Sequence, residues 1–195
     1  MTTVTDIESY FALLSATTQK VPFDAIAGLT DALLRAYEGQ NTIYVFGNGG
    51  SASLASHFAC DLGKGTINGS GRRFKVMALT DNLPLITAWG NDSGYEHIFS
   101  QQLANFICAG DVALAISASG NSRNVLNALH VPRGAGATTL GITGFEGGLM
   151  KDLCDLCMVV PSDNMQIIED LHLSVAHAIF TTVRARTCKA VTAAA

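Results

Sequence analysis

TIYVFGNGGSASLASHFACDLG, residues 42–63, decides the architecture. A β-rich apolar run (42–46) meets a tight glycine loop, Gly47-Asn48-Gly49-Gly50-Ser51, and then a helical pattern over about 52–63. Strand, tight turn and helix in that order make half of a βαβ unit. Outward from it the alternation repeats. FKVMAL (74–79), DVALAIS (111–117), TTLGIT (138–143) and LCMVVP (156–161) read as strands. Helical patterns fall at about 83–107 and 122–131, with a short piece near 147–152 and a last helix from near Asn164 to about Thr187. The strand runs are continuously apolar, as expected where helices cover both sheet faces. The class is therefore α/β, with right-handed crossovers and a doubly wound parallel sheet.

Upstream, Ile7, Phe11 and Leu14, then Phe23, Ile26, Leu29, Leu33 and Leu34, recur at helical spacing. They predict two N-terminal helices over about 4–38, with Pro22 as the break and a first-turn residue. HVPRGAGA (130–137) places Pro132 and two glycines where a helix should finish, and is read as an early helix end. One domain is expected over 1–195, with its α/β core over about 42–187 and an Ala-rich tail after Lys189.

Composition narrows the function. Charged residues are 14% of the 195 and apolar ones 48%. The charged share lies well below the ~25% of an ordinary domain, so part of the surface is expected to be used in subunit contacts. A homo-oligomer follows. No apolar run approaches the ~20 residues of a spanning helix, so no membrane partner is expected. The net charge of −4 gives nucleic acid no bulk attraction. The opening MTTVTDIESYFALL lacks a basic stretch before an apolar core, and five scattered cysteines (Cys60, Cys108, Cys154, Cys157, Cys188) suit reduced thiols in a cytoplasm. Cys154 and Cys157 form a single CxxC leading into CMVVP, read as buried strand-end thiols rather than a zinc or redox pair.

In a sheet of this class ligands bind beyond the carboxyl ends of the strands. Three polar loops are read as falling there. Gly47–Ser51 lets a ligand approach the backbone ahead of a helix N-terminus. It matches neither common nucleotide fingerprint, so a nucleotide is not implied. Ser117-Ala118-Ser119-Gly120-Asn121-Ser122 offers three hydroxyls within six residues, a neutral donor set that suits a phosphate monoester on an acidic chain. Capping of the next helix by Ser or Asn is the plainer alternative. Gly90-Asn91-Asp92 is a third polar segment, read by itself as an ordinary turn. Among ionisable groups, His57 and Asp61 stand four apart on one helical face, and Glu169 and His177 eight apart on the last helix, with Asp170 and His172 nearby. Such pairs suit a two-histidine, two-carboxylate metal site or a general acid/base pair; surface charge with a core histidine is the alternative.

GNGGSASLASHFACDLGKG, LTDNLPLITAWGNDSGYEHIF, ISASGNSRNV and IEDLHLSVAH, in this order, resemble the sugar isomerase (SIS) domain family, and within it the phosphoheptose isomerase subfamily. The resemblance covers roughly residues 5–187. It implies a flavodoxin-like, five-stranded parallel sheet and a homotetramer with active sites between subunits. It implies isomerisation of sedoheptulose 7-phosphate, or a close analogue, to an aldose phosphate through a metal-assisted enediol. Ser117, Ser119 and Ser122 would hold the phosphate, and Asn48, Gly49, Gly50, Ser51, Asn91, Asp92 and Glu169 would line the sugar. His57, Asp61, Glu169 and His177 fall on the family's zinc-ligand positions, and Asp61 and His177 on those of its catalytic base and acid. The chain departs from the family at Asp61 (usually Glu), Glu169 (usually Gln) and Ala118 (often Thr). The family also implies the alternative of a non-catalytic protein that binds a phosphosugar or a replication initiator.

Overall fold

The structure, a computed structural model, describes residues 4–67 and 71–192, with side chains to 187. Helix α1 (Ile7–Thr18) opens on a capping box: Asp6 accepts from the Ser9 amide at 2.7 Å, and the Ser9 hydroxyl accepts from the Asp6 amide at 3.2 Å. Pro22 stands at the N-cap of α2 (Phe23–Gly39), one place before the first turn expected of it. Five parallel strands follow, β1 (Thr42–Gly47), β2 (Lys75–Ala78), β3 (Val112–Ser117), β4 (Thr138–Thr143) and β5 (Leu156–Val159), in the spatial order β2-β1-β3-β4-β5. This is the flavodoxin-like order, whose direction reverses between β1 and β3. The sheet is all-parallel, as the unbroken apolar runs predicted.

Alternation along each strand splits the core in two. Ile43 and Val45 of β1 and Val112, Leu114 and Ile116 of β3 face one layer, formed with α1, α2, α3 (Gly50–Cys60) and α8 (Met165–Thr192). Tyr44 and Phe46, with Ala113 and Ala115, face the other, which holds α5 (Ser100–Phe106), α6 (Arg123–Ala135) and α7 (Met150–Leu153). The central strand β3 is buried at every position.

Three local expectations are corrected. The helical stretch expected over 83–107 is divided into α4 (Leu83–Asp92), a 3-10 turn (Tyr95–His97) and α5, because Gly94 takes a φ of +96° that ends the first helix. Helix α6 does not stop before Pro132. The proline sits inside the last turn, where its carbonyl accepts from Gly136 and Ala137, with Gly136 left-handed as the cap. Asn164 caps α8 by accepting from the Gln166 and Ile167 amides, and the helix runs past Thr187 to Thr192. The rest of the Ala-rich tail, 193–195, lies outside the described residues, as does the side chain of Cys188.

Cys154 ends α7 and Cys157 lies in β5; both are free and half-buried, and both sulfurs abut Gly141 of β4. Their mutual hydrogen bond pushes the Cys154 thiol up and Cys157 down. No helix among the described residues is long and apolar enough to cross a membrane.

Two glycines with opposite surroundings test this packing. A Cβ on Gly47 would lie 2.5 Å from the Ile116 carbonyl oxygen and 2.8 Å from Ser51 Cβ, whereas one on Gly134 would meet nothing within 4 Å. Urea unfolding should show Gly47→Ala losing ~1–3 kcal/mol or more. Gly134→Ala, in the last turn of α6, should be neutral or gain up to ~0.5–1 kcal/mol.

Candidate active site

The glycine loop and the serine loop leave β1 and β3, the two strands that flank the reversal of strand order, so the fold sets them side by side. Gly49, at φ +54° and ψ −122°, turns the chain from β1 into α3, a backbone state open to glycine. Gly50 leaves room for Glu169 of α8: a Cβ there would lie 3.1 Å from the carboxylate. Ser51, in the first turn of α3, is buried.

In the serine loop, Ser122 is the N-cap of α6, yet its side chain makes no capping bond. Its Oγ lies 3.5 Å from Ser117 Oγ instead, so the capping alternative does not account for this hydroxyl. Asn121 braces the loop, donating to the Ser119 carbonyl at 3.0 Å and accepting from the Leu149 amide at 3.1 Å. A small cavity of about 150 Å³ is lined by Asn48, Ser51, Ser117, Ser119, Ser122 and Glu169. Its donors are hydroxyls, an amide and the amides of a helix N-terminus, with no lysine or arginine among the described residues on its wall.

A second cavity, about 270 Å³, adjoins it; Ser51 and Glu169 line both, and His57 and His172 line the second. At its far side three groups meet within one chain. His57 Nε2 lies 3.0 Å from His177 Nε2, and Asp61 Oδ2 lies 3.4 Å from the first and 4.0 Å from the second. Asp61 begins a π-helical turn (Asp61–Gly65) that prolongs α3. The turn packs on α8 where Gly65 admits the ring of Phe180, three residues beyond His177 and so on the same face of that helix.

Could this trio hold a metal? Asp61 Oδ2 is buried without a hydrogen-bond partner and faces two imidazole nitrogens. Two bonds of about 2.0–2.1 Å span the 3.0 Å between those nitrogens, and two histidines with a carboxylate are an ordinary zinc donor set. The residues fit a divalent ion. Glu169 does not join them in this chain: eight residues of helix put its Cα about 12 Å from that of His177, and its carboxylate sits over Gly50. Asn91 and Asp92 lie exposed in the last turn of α4, hydrogen-bonded to each other at 2.7 Å, and line neither cavity.

The structure adds three residues. Asn124, 2% exposed, exchanges paired 2.8 Å hydrogen bonds with Asn48, and Tyr95 donates to Asn48 Oδ1 at 2.9 Å. Both residues had only bland sequence signals, a first-turn Asn and an exposed aromatic. His172, noted from sequence as a neighbour, is 1% exposed, and burial pushes its imidazole down to about 4 against a weak opposing contact with the Thr143 carbonyl.

Comparison with known proteins settles the lineage. The SIS domain family matches residues 8–144. The chain belongs to that family. It is 40% identical over 157 residues to a phosphoheptose isomerase of a Bradyrhizobium species, covering 80% of this chain and 79% of that protein. Against the phosphoheptose isomerase of Rhodospirillum rubrum it is 42% identical over 168 residues, covering 83% and 84%. The solved phosphoheptose isomerase of Neisseria gonorrhoeae superposes with a TM-score of 0.85 at 29% identity, over 91% of this chain and 96% of that one. The SIS chain described here is thus an enzyme, an isomerase of the phosphosugar class.

The buried imidazole gives this SIS enzyme a pH signature. His172 is held neutral when folded, to about pH 4, but takes a proton near 6.5 when unfolded, so the unfolded state binds more protons as pH falls. Stability should therefore drop between pH 6.5 and 4, by ~3 kcal/mol at most, and level off below. His172→Leu should remove that segment of the curve when denaturation midpoints are compared across the range.

Proposed function

We propose that the enzyme interconverts sedoheptulose 7-phosphate and the corresponding aldoheptose 7-phosphate. The observation that carries this is the presence of two unlike places: a cavity whose donors are hydroxyls and amides, and a carboxylate with one oxygen buried beside two histidines. The first suits a phosphate and the second a proton transfer, and the cavity that reaches His57 shares Ser51 and Glu169 with the first. The relatives' shared name supports the heptose.

Ser117, Ser119 and Ser122, with the first amides of α6, bind the phosphate and so place the reacting carbons over the trio; Asn48, Gly49, Gly50, Ser51 and Glu169 hold the sugar. Orientation of this kind is worth several kcal/mol of the barrier. The Asp61 carboxylate takes the proton from C1 and returns it at C2 by way of an enediol. His177 moves the oxygen-bound proton between O1 and O2. His57, Asp61 and His177 would hold a zinc ion, which supplies a Lewis acid for the charge that develops on those oxygens. Asn91 and Asp92 belong to this reading as sugar contacts completed in the assembled enzyme.

That assembly is a homotetramer of single-domain chains working in the cytoplasm. Support comes from the low charge content and from apolar side chains left exposed: Ile7 at 77%, Phe11 at 61% and Phe23 at 67% along α1 and α2, together with an apolar α4 that buries none of its residues.

The test is incubation of purified enzyme with sedoheptulose 7-phosphate and assay for an aldose product. Turnover is expected, lost on chelation and restored by zinc. Asp61→Asn should lower kcat by about 10²–10⁴ with the fold intact, and Ser119→Ala with Ser122→Ala should act mainly on KM. Absence of an aldose from every ketose phosphate of six to eight carbons, with and without zinc, refutes the assignment.

A further inference from the structure

Asn48 lines the phosphate-side cavity, yet most of its amide is already committed. Its hydrogen bonds have one consistent polarity. The Val125 amide, which can only donate, lies 3.0 Å from Asn124 Oδ1 and so fixes which end of Asn124 is oxygen. Asn124 Oδ1 then accepts from Asn48 Nδ2, and Asn124 Nδ2 donates to Asn48 Oδ1, each at 2.8 Å. Asn48 Oδ1 is thereby an acceptor, and the Tyr95 hydroxyl at 2.9 Å must donate to it. Both acceptor positions of Asn48 and one of its two N–H groups are used. One N–H remains.

We propose that Asn124 and Tyr95 are positioning residues that lock Asn48 as a one-way hydrogen-bond donor to an oxygen of the substrate. The lock is built to hold. Asn124 is 2% exposed, so an unpaired amide there would be costly, and its pairing ties the serine-loop helix to the glycine loop. Tyr95 comes from the turn after α4, so a third segment of chain reports on the same atom. A side-chain amide free to flip would present its oxygen to a phosphate or sugar oxygen half the time; this one cannot. The inference rests on the isomerase reading above.

The experiment is a double-mutant cycle on steady-state turnover of sedoheptulose 7-phosphate. Tyr95→Phe and Asn124→Ala should each raise KM by about three- to tenfold, the range of one hydrogen bond, with kcat changed far less. Asn48→Ala should raise KM at least as much. In the Asn48→Ala background, Tyr95→Phe should then cost nothing further, because the residue it positions is gone. A Tyr95→Phe loss of the same size in both backgrounds overturns the proposal, as does an unchanged KM in Tyr95→Phe alone. Tyr95 is exposed, so that variant keeps the test decisive even if Asn124→Ala fails to fold. Wild-type enzyme that turns over the ketose while the cycle is additive refutes the lock alone; wild-type enzyme without turnover refutes the isomerase reading.

Discussion

The site depends on how closely α8 lies against the sheet and α3. Three glycines set that distance. A Cβ on Gly144 would fall 2.5 Å from Ile168, one on Gly50 3.1 Å from the Glu169 carboxylate, and one on Gly65 2.6 Å from the Phe180 ring. They come from the end of β4, the glycine loop and the π-helical turn, and together they seat α8 along its first sixteen residues. Burial supplies the attraction: Ile168, Leu171, Val175, Ala176 and Ile179 are all buried, and each large aliphatic side chain contributes about 1.5–3 kcal/mol. The glycines turn that attraction into geometry. His177 lies three residues before Phe180, so the approach at Gly65 is what carries the imidazole to within 3.0 Å of His57.

An acidic chain that holds a phosphate needs a local device, and the strand order provides it. Reversal between β1 and β3 opens a crevice whose walls are the glycine and serine loops. Hydroxyls, a locked amide and helix-terminal N–H groups then supply donors without cationic side chains.

The architecture was legible in the sequence because it rests on strong, repeated signals. Five continuous apolar runs and their intervening helices recur as the five strands and α3 to α8, and the two loops stand at the strand ends where their glycines and serines placed them. What escaped were features decided by single backbone states or tertiary contacts. Pro132 looks like a helix stop, but the helix runs on to Ala135 and the Pro132 carbonyl closes its left-handed cap. Gly94 looks like part of a polar turn, but its positive φ is what cuts the expected helix in two. Glu169 and His177 were read together from their spacing, yet eight residues of helix rise leave Glu169 over Gly50 and His177 beside His57. Asn124 and Tyr95 gave only bland signals because their bonds to Asn48 exist only once β1, α6 and the turn after α4 converge on one amide.

Asp61 shows how backbone and side chain divide the work of reach. A carboxylate one methylene shorter than glutamate has little freedom to find two imidazoles by rotation. Here it need not search. The chain passes from α3 into the π-helical turn at Asp61 itself, widening the helix where the carboxylate departs. Gly63 and Gly65 keep that turn slim enough to lie between Val76 and Phe180. The result is Oδ2 at 3.4 Å from one histidine and 4.0 Å from the other, with the carboxylate half-shielded from water. A short, stiff side chain on a distorted helix loses less rotamer entropy on being held than a long one, so the same geometry is reached with fewer bonds to freeze.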